Sequence, residues 1–180
     1  MRTSRPTNII LIGMPGAGKS TIGIILAKQS ARDFVDTDVL IQVAEKKSLQ
    51  DILDTEGYLA LRQVEERVLL SVNCTNHVIA TGGSAVYSPA AMNHLKASGI
   101  AVFLHVEMEA LLKRITNFDT RGIACSPEQT FAELYQERQT LYKQYGDITI
   151  DCANRALEAI STDICDQLRF FRSVSAEKVP

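Results

Sequence analysis

Gly13-Met14-Pro15-Gly16-Ala17-Gly18-Lys19-Ser20-Thr21 reads as G-x-x-x-x-G-K-S, the spacing of a phosphate-binding loop. The apolar run Asn8-Ile9-Ile10-Leu11-Ile12 precedes it, and a helix-compatible stretch, residues 21–28, follows. Glycines let backbone N–H groups turn inward around phosphate oxygens, and the following helix aims its positive end at the same anion. Lys19 is placed to reach the terminal phosphates, and the Ser20 hydroxyl suits a magnesium ion. Gly13, Gly16, Ala17, Gly18, Lys19, Ser20 and Thr21 are therefore the candidate nucleotide-binding residues. The alternative is a glycine-rich turn without a ligand. The full pattern in its strand–loop–helix context weighs against it.

Outward from this loop, apolar runs alternate with helix-period stretches, the pattern of an α/β domain with a parallel sheet. Strands are expected at 9–12, 33–35, 78–80, 101–105 and 148–150. Ser88-Pro89 reads as a helix cap with proline in the first turn, and Gly99 as the end of that helix. Ser126-Pro127-Glu128-Gln129 repeats the signature and adds a capping box from Ser126 to Gln129. Two helix patterns between the second and third strands predict a helical insert over residues 39–72. Residues 117–126 lack periodicity and read as a lid. The chain is expected to be one domain over residues 1–172, with residues 173–180 a disordered tail.

The 180 residues suffice for one domain with a sizeable core. A formal net charge of -2 gives no general electrostatic case for nucleic acid or a membrane surface, and no apolar run is long enough to span a bilayer. Residues 1–7 are polar and lack the apolar segment of a secretory signal, so a cytoplasmic location is expected. Cys74, Cys125, Cys152 and Cys165 are scattered without a C-x-x-C pair and are expected as free thiols. His77, His94 and His105 lack metal-ligand spacing and read as structural.

Phosphoryl transfer needs a metal anchor, a bound acceptor hydroxyl and positive charge at the transferring group. Asp36-Thr37-Asp38 follows the second strand, where ligand groups sit in such sheets. One carboxylate suits the magnesium shell and the other suits proton acceptance, while Asp38 reads equally as the cap of a helix over 39–44. Arg62, with Glu65 and Glu66 a turn later, reads by itself as a helix-surface ion pair, worth about 0.3–0.5 kcal/mol. Gly82 and Gly83 after the third strand permit close backbone approach to a ligand, or simply form a tight turn. Arg114, Arg121 and Arg138, each taken singly, read as solvated charges.

Taken in order, these residues resemble the shikimate kinase family over residues 9–168. The carriers are Asp36-Thr37-Asp38, the Glu56-Gly57-x-x-x-x-Arg62-x-x-Glu65 helix, the Gly82-Gly83 run and Glu137-Arg138-x-x-Leu141-Tyr142. The resemblance implies a P-loop kinase fold of three layers, with a five-stranded parallel sheet in the order 2-3-1-4-5, a substrate-binding insert and a lid loop. It implies transfer of the γ-phosphate of ATP to the 3-hydroxyl of shikimate with Mg2+, in a cytoplasmic enzyme expected to be monomeric. Carried over, Asp38 binds the acceptor hydroxyls and acts as base, Asp36 helps to hold magnesium, and Arg62 and Arg138 grip the shikimate carboxylate. Gly82 and Gly83 offer N–H groups to the substrate, Arg121 steadies the transferring phosphate and Arg114 lies near the adenine. Two arginines meeting one anion suit a carboxylate acceptor. The sequence departs from the family at Ser84 (usually a third glycine), at Gly122 in a lid that usually reads Arg-Pro-Leu-Leu, and at Leu61 (often phenylalanine). A glycine at 122 predicts a more flexible lid. A same-fold kinase of another hydroxy acid such as gluconate is the alternative, and a non-catalytic nucleotide-binding regulator is a third reading.

Overall fold

Parallel strands covered on both faces read as unbroken apolar runs, because neither face alternates with solvent. All five residues of β1 (Asn8–Ile12) are buried, as are the first six of β4 (Gly99–His105). The outer strands differ. β2 (Asp33–Asp36) has no fully buried residue, and β5 (Ile148–Asp151) alternates buried with exposed. The computed structural model describes residues 7–115 and 122–177, without the side chains of residues 172 and 175–177. In it, β3 (His77–Ala80) completes an all-parallel five-stranded sheet in the order β2-β3-β1-β4-β5, the expected order. Ile10 stands between Ile79 and Ala101, which fixes the central register.

The flanking helices are α1 (Lys19–Ser30), α2 (Thr37–Glu45), α3 (Leu49–Ser71), α4 (Pro89–Lys96), α5 (Met108–Arg114), α6 (Phe131–Tyr145) and α7 (Leu157–Glu177). α1 packs on α7, while α3, α4 and α6 gather around a short 3-10 turn, Ala85–Tyr87. The main core runs through β1 and β4 into Ile22 and Leu26 of α1 and Ile160 and Ile164 of α7. A second, smaller core of Ile41, Ile52, Leu61 and Val68 joins α2 to α3 and takes in Ala124 from the segment before α6. The insert thus has its own apolar glue, and that glue also holds Ala124 in the segment before α6. α3 bends at Gly57, whose φ of 85° and ψ of 169° lie where side-chain-bearing residues are rarely found.

Several local expectations are corrected. The capping box of α6 is Thr130 with Glu133, four residues beyond the one expected at Ser126; Ser126 and Gln129 form a turn instead. A Glu side chain at the third helical position reaches back to the cap N–H, which Gln129 does not do here. Gly99 opens β4 rather than ending α4, whose cap is Ala97; a Cβ at Gly99 would stand 2.7 Å from Ile10. Ser88 and Pro89 start α4 as expected. α7 continues through Glu177, five residues into the segment expected to be disordered, and no glycine or proline interrupts it. Residues 178–180, and residues 117–121 of the expected lid, lie outside the described residues.

Candidate active site

The chain crosses from β3 to β4 over the position of β1, so the sheet's order reverses beside β1 and leaves a crevice at the carboxyl ends of β1 and β3. The phosphate loop leaves β1 there and Gly82-Gly83-Ser84 leaves β3. A cavity of about 260 Å³ lies between them, lined by Lys19 and Ser20 on one side and by Asp38, Glu65, Gly82 and Arg138 on the other.

The donor side is made mostly of backbone. α1 starts at Gly18 with no side-chain cap and no acidic residue in its first turn. α2, α3, α4 and α6 all begin with a capping side chain. The uncapped amides and the dipole of α1 therefore serve the loop, as anion binding requires. Lys19 is buried, and its Nζ donates to the carbonyls of Gly13 (2.8 Å) and Met14 (3.0 Å). Burial lowers its pKa to about 8, against the opposing pull of Asp38. Phosphate oxygens are better partners for this ammonium than carbonyls, because they bring full charge.

The Asp36–Asp38 stretch resolves into two jobs. Asp36, not Asp38, caps α2: its Oδ1 accepts the Asp38 N–H at 3.0 Å. Asp38 stands in the first turn of α2 and lines the cavity. Gly82 lies against two carboxylates, since a Cβ there would fall 2.2 Å from Glu65 Oε1 and 2.8 Å from Asp38 Oδ1. The Gly82 N–H donates to Thr37 Oγ1 at 3.2 Å. Gly83 is confined between Arg138 Nη1 and Pro15, each 2.8 Å from a hypothetical Cβ, and its carbonyl accepts the Tyr142 hydroxyl at 2.7 Å.

Arg62 and Arg138 converge. Arg138 is 1% exposed, not the solvated charge its helix suggests by itself. Its Nη2 donates to the Ala124 carbonyl at 2.9 Å, and Arg62 Nη2 donates to the same oxygen at 3.1 Å. Two like charges that share one acceptor repel each other, the more so away from water. Among the described residues neither arginine forms an ion pair, and the Nε of each is buried without a hydrogen-bond partner. A carboxylate is the acceptor that would satisfy such a pair. Arg138 lines the cavity; Arg62 stands behind it, joined through Ala124.

Arg114 lies apart, in the last turn of α5, with Nη2 3.5 Å from the Cys152 carbonyl at the end of β5. Arg121 lies outside the described residues. Gly122 is anchored: its φ is 62°, its N–H donates to Gln50 Oε1 at 2.7 Å, and a Cβ would meet that of Leu49 at 2.6 Å. The glycine is needed for left-handed backbone and close approach to α3, so at residue 122 itself the expected looseness is replaced by a fixed contact.

Sequence reasoning placed Glu65 on a helix surface, but it is 3% exposed and accepts a hydrogen bond from the Ser84 hydroxyl. Its spacing held the signal: Glu65 is four residues after Leu61 and three before Val68, on the same buried stripe. Burial raises its pKa to about 7, with the Ser84 hydrogen bond pulling the other way. Nothing in the local sequence of Tyr87 marks it as part of the site.

A parallel sheet in this order, with a phosphate loop after its central strand and a polar acceptor cavity alongside, defines a P-loop kinase. Residues 15–169 match the family model described as shikimate kinase. The shikimate kinase of Rippkaea orientalis is 38% identical over 165 residues, covering 89% of this chain and 87% of that protein. That of Thiobacillus denitrificans is 33% identical over 161 residues, 88% of each chain. The structure of shikimate kinase from Acinetobacter baumannii in complex with shikimate superposes with a TM-score of 0.81 at 29% identity, over 98% of this chain and 97% of that one. The chain belongs to the shikimate kinase family, phosphotransferases that act on a hydroxyl group.

Proposed function

We propose that this protein transfers the γ-phosphate of ATP to the 3-hydroxyl of shikimate. The observation that carries the reading is the meeting of Arg62 and Arg138 at a single oxygen beside a cavity whose opposite wall is the phosphate loop. A neutral sugar acceptor would give two converging cations nothing to hold. In this reading Lys19 and the amides of Gly13, Gly16, Ala17, Gly18, Ser20 and Thr21 hold the phosphates, and Arg114 borders the adenine. Asp38 takes the proton of the acceptor hydroxyl. Arg62 and Arg138 hold the carboxylate and so fix which hydroxyl faces the phosphate. Gly82 contributes by lacking a side chain, and Gly83 borders the acceptor. Arg121 belongs to the lid and would neutralise charge on the transferring group.

Magnesium fits the donor side, where the Ser20 hydroxyl and the Asp36 carboxylate would help to hold it. Among the described residues no three His, Cys, Asp or Glu form a metal-binding group, so phosphate oxygens would supply much of its shell, a habit of this small hard cation. When bound it neutralises charge on the phosphates.

Among the described residues no helix is long and apolar enough to cross a membrane. In the proposed reading the protein is a cytoplasmic, monomeric enzyme acting on a small carboxylic acid, as one domain with an insert and a lid. The test is an acceptor panel of shikimate, quinate, gluconate and homoserine with ATP and magnesium. Turnover of shikimate with a submillimolar KM is expected, within the usual enzyme range of roughly 1 μM–1 mM. Turnover of gluconate alone would transfer the reading to another hydroxy acid. Nucleotide binding without transfer would leave a regulator.

A further inference from the structure

Two guanidiniums that share one acceptor need something besides that acceptor to hold them together. Tyr87 is placed to do this. Its ring centroid lies 3.5 Å from Arg62 Cζ and 5.4 Å from Arg138 Cζ, so one aromatic ring meets both cations. The ring is itself well anchored. The backbone N–H of Tyr87 donates to the Ser84 carbonyl at 3.0 Å, Ala85 and Val86 before it are 1% exposed, and Ser88 after it caps α4. Tyr58 touches Arg62 from within α3 at the longer distance of 5.3 Å, and no contact joins it to Arg138 among the described residues.

We infer that Tyr87 is a positioning residue of the acceptor site, whose ring face holds Arg62 and Arg138 in the converging arrangement that binds the acceptor's carboxylate. The inference rests on the reading of these arginines as a carboxylate clamp. The physical basis is the negative face of the aromatic ring, which attracts both cations, most strongly at contact distance. The ring acts through the arginines and stands outside the set of residues that line the cavity, so its removal acts on acceptor affinity and spares the transfer step. Tyr58 meets Arg62 alone, at 5.3 Å, and serves as the internal control.

The experiment compares Tyr87→Phe, Tyr87→Leu and Tyr58→Leu with the wild type. Tyr87→Leu is expected to raise the KM for shikimate about tenfold, with kcat and the KM for ATP changed less than about twofold. Tyr87→Phe keeps the ring face and loses only the hydroxyl that interacts with Arg138, so its rise should stay well below that of Tyr87→Leu, and so should that of Tyr58→Leu. A rise in both KM values together, or an equal effect of Phe and Leu, would overturn the inference. A readout without any acceptor is the Arg62 Nε–H resonance, assigned by its loss in Arg62→Lys. Ring current moves it upfield in wild type and Tyr87→Phe, and it should return downfield in Tyr87→Leu. An unmoved resonance overturns the inference whatever the acceptor proves to be. A wild type that leaves shikimate unphosphorylated breaks the proposed function alone, and the resonance still decides on Tyr87. If Tyr87→Leu does not fold, Tyr87→Met, of similar volume and without a ring, replaces it.

Discussion

Lys19 and Arg138 are both buried cations beside one cavity, yet they are held in opposite ways. Lys19 sits on a contiguous loop and donates to carbonyls five and six residues before it. Arg138 comes from α6, and the oxygen it shares with Arg62 of α3 belongs to a third segment, before α6. The donor side is thus a local structure whose geometry follows from a short stretch of backbone. The acceptor side is an assembly of α2, α3, the turn after β3 and α6, held by side-chain contacts. Local sites of the first kind tolerate change elsewhere in the chain. Sites of the second kind shift whenever a packing partner changes, and the sequence's departures from its family at Leu61, Ser84 and Gly122 all fall on that side.

The comparison is broken most directly at Asp38. Asp38→Asn is expected to lower kcat by about 10²–10⁴, the usual contribution of a positioned base, with ATP affinity within about twofold of wild type. Steady-state kinetics with nucleotide titration checks this. If the variant weakens ATP binding as far as Lys19→Ala does, Asp38 belongs to the donor side and the division is wrong.

A smaller effect is expected from the clamp. Arg138→Ala and Arg62→Ala should each raise the KM for the acid acceptor by about 10–100-fold, the range for one charge-assisted hydrogen bond, with the KM for ATP unchanged. Arg138, which lines the cavity, should show the larger rise. Unchanged acceptor KM in both would remove the carboxylate argument.

Glu65 gives a sharper, pH-dependent test. Its pKa is raised from 4.5 to about 7 by burial among Ser84, Asp38, Arg138 and Lys19. The folded state therefore holds a proton that the unfolded state has lost between these values. The stabilising contribution is complete below about 4.5 and is lost as pH rises through about 7. Denaturant melts should show this decline in wild type and a flatter profile in Glu65→Gln. Ser84→Gly removes a hydrogen bond that favours the ionised form, so the decline should move to higher pH. A profile of wild type that matches Glu65→Gln would show that Glu65 does not titrate there.

The smallest effect concerns Lys19. With its pKa lowered to about 8 by burial, part of the population is neutral near that pH, and phosphate binding favours the charged form. ATP binding at pH 8 should take up a fraction of a proton, read by calorimetry in buffers of different ionisation enthalpy. Affinity should weaken as pH rises above 8. Proton release instead would mean that the ammonium does not meet the phosphates.

Much of this protein was legible in order along the chain. Unbroken apolar runs marked β1 and β4, because burial on both sheet faces leaves a periodicity-free signature there, whereas β2 and β5 at the sheet's edges were marked by short apolar segments between helix patterns. The phosphate loop was legible because its ligand groups are its own backbone, and glycine spacing encodes backbone geometry directly. Tertiary structure decided the rest. Arg62 and Arg138 look like solvated helix charges until α3 and α6 meet over Ala124, and Glu65 looks like an ion-pair partner until its helix face turns inward. Asp36 became the cap of α2 only because the backbone at the end of β2 aims its carboxylate at the Asp38 N–H. Tyr87 carries no motif, and its nearness to two guanidiniums exists only after three segments pack. Backbone chemistry repeats along a sequence and is read there, whereas a convergence of side chains is a property of distances between segments, which only folding sets.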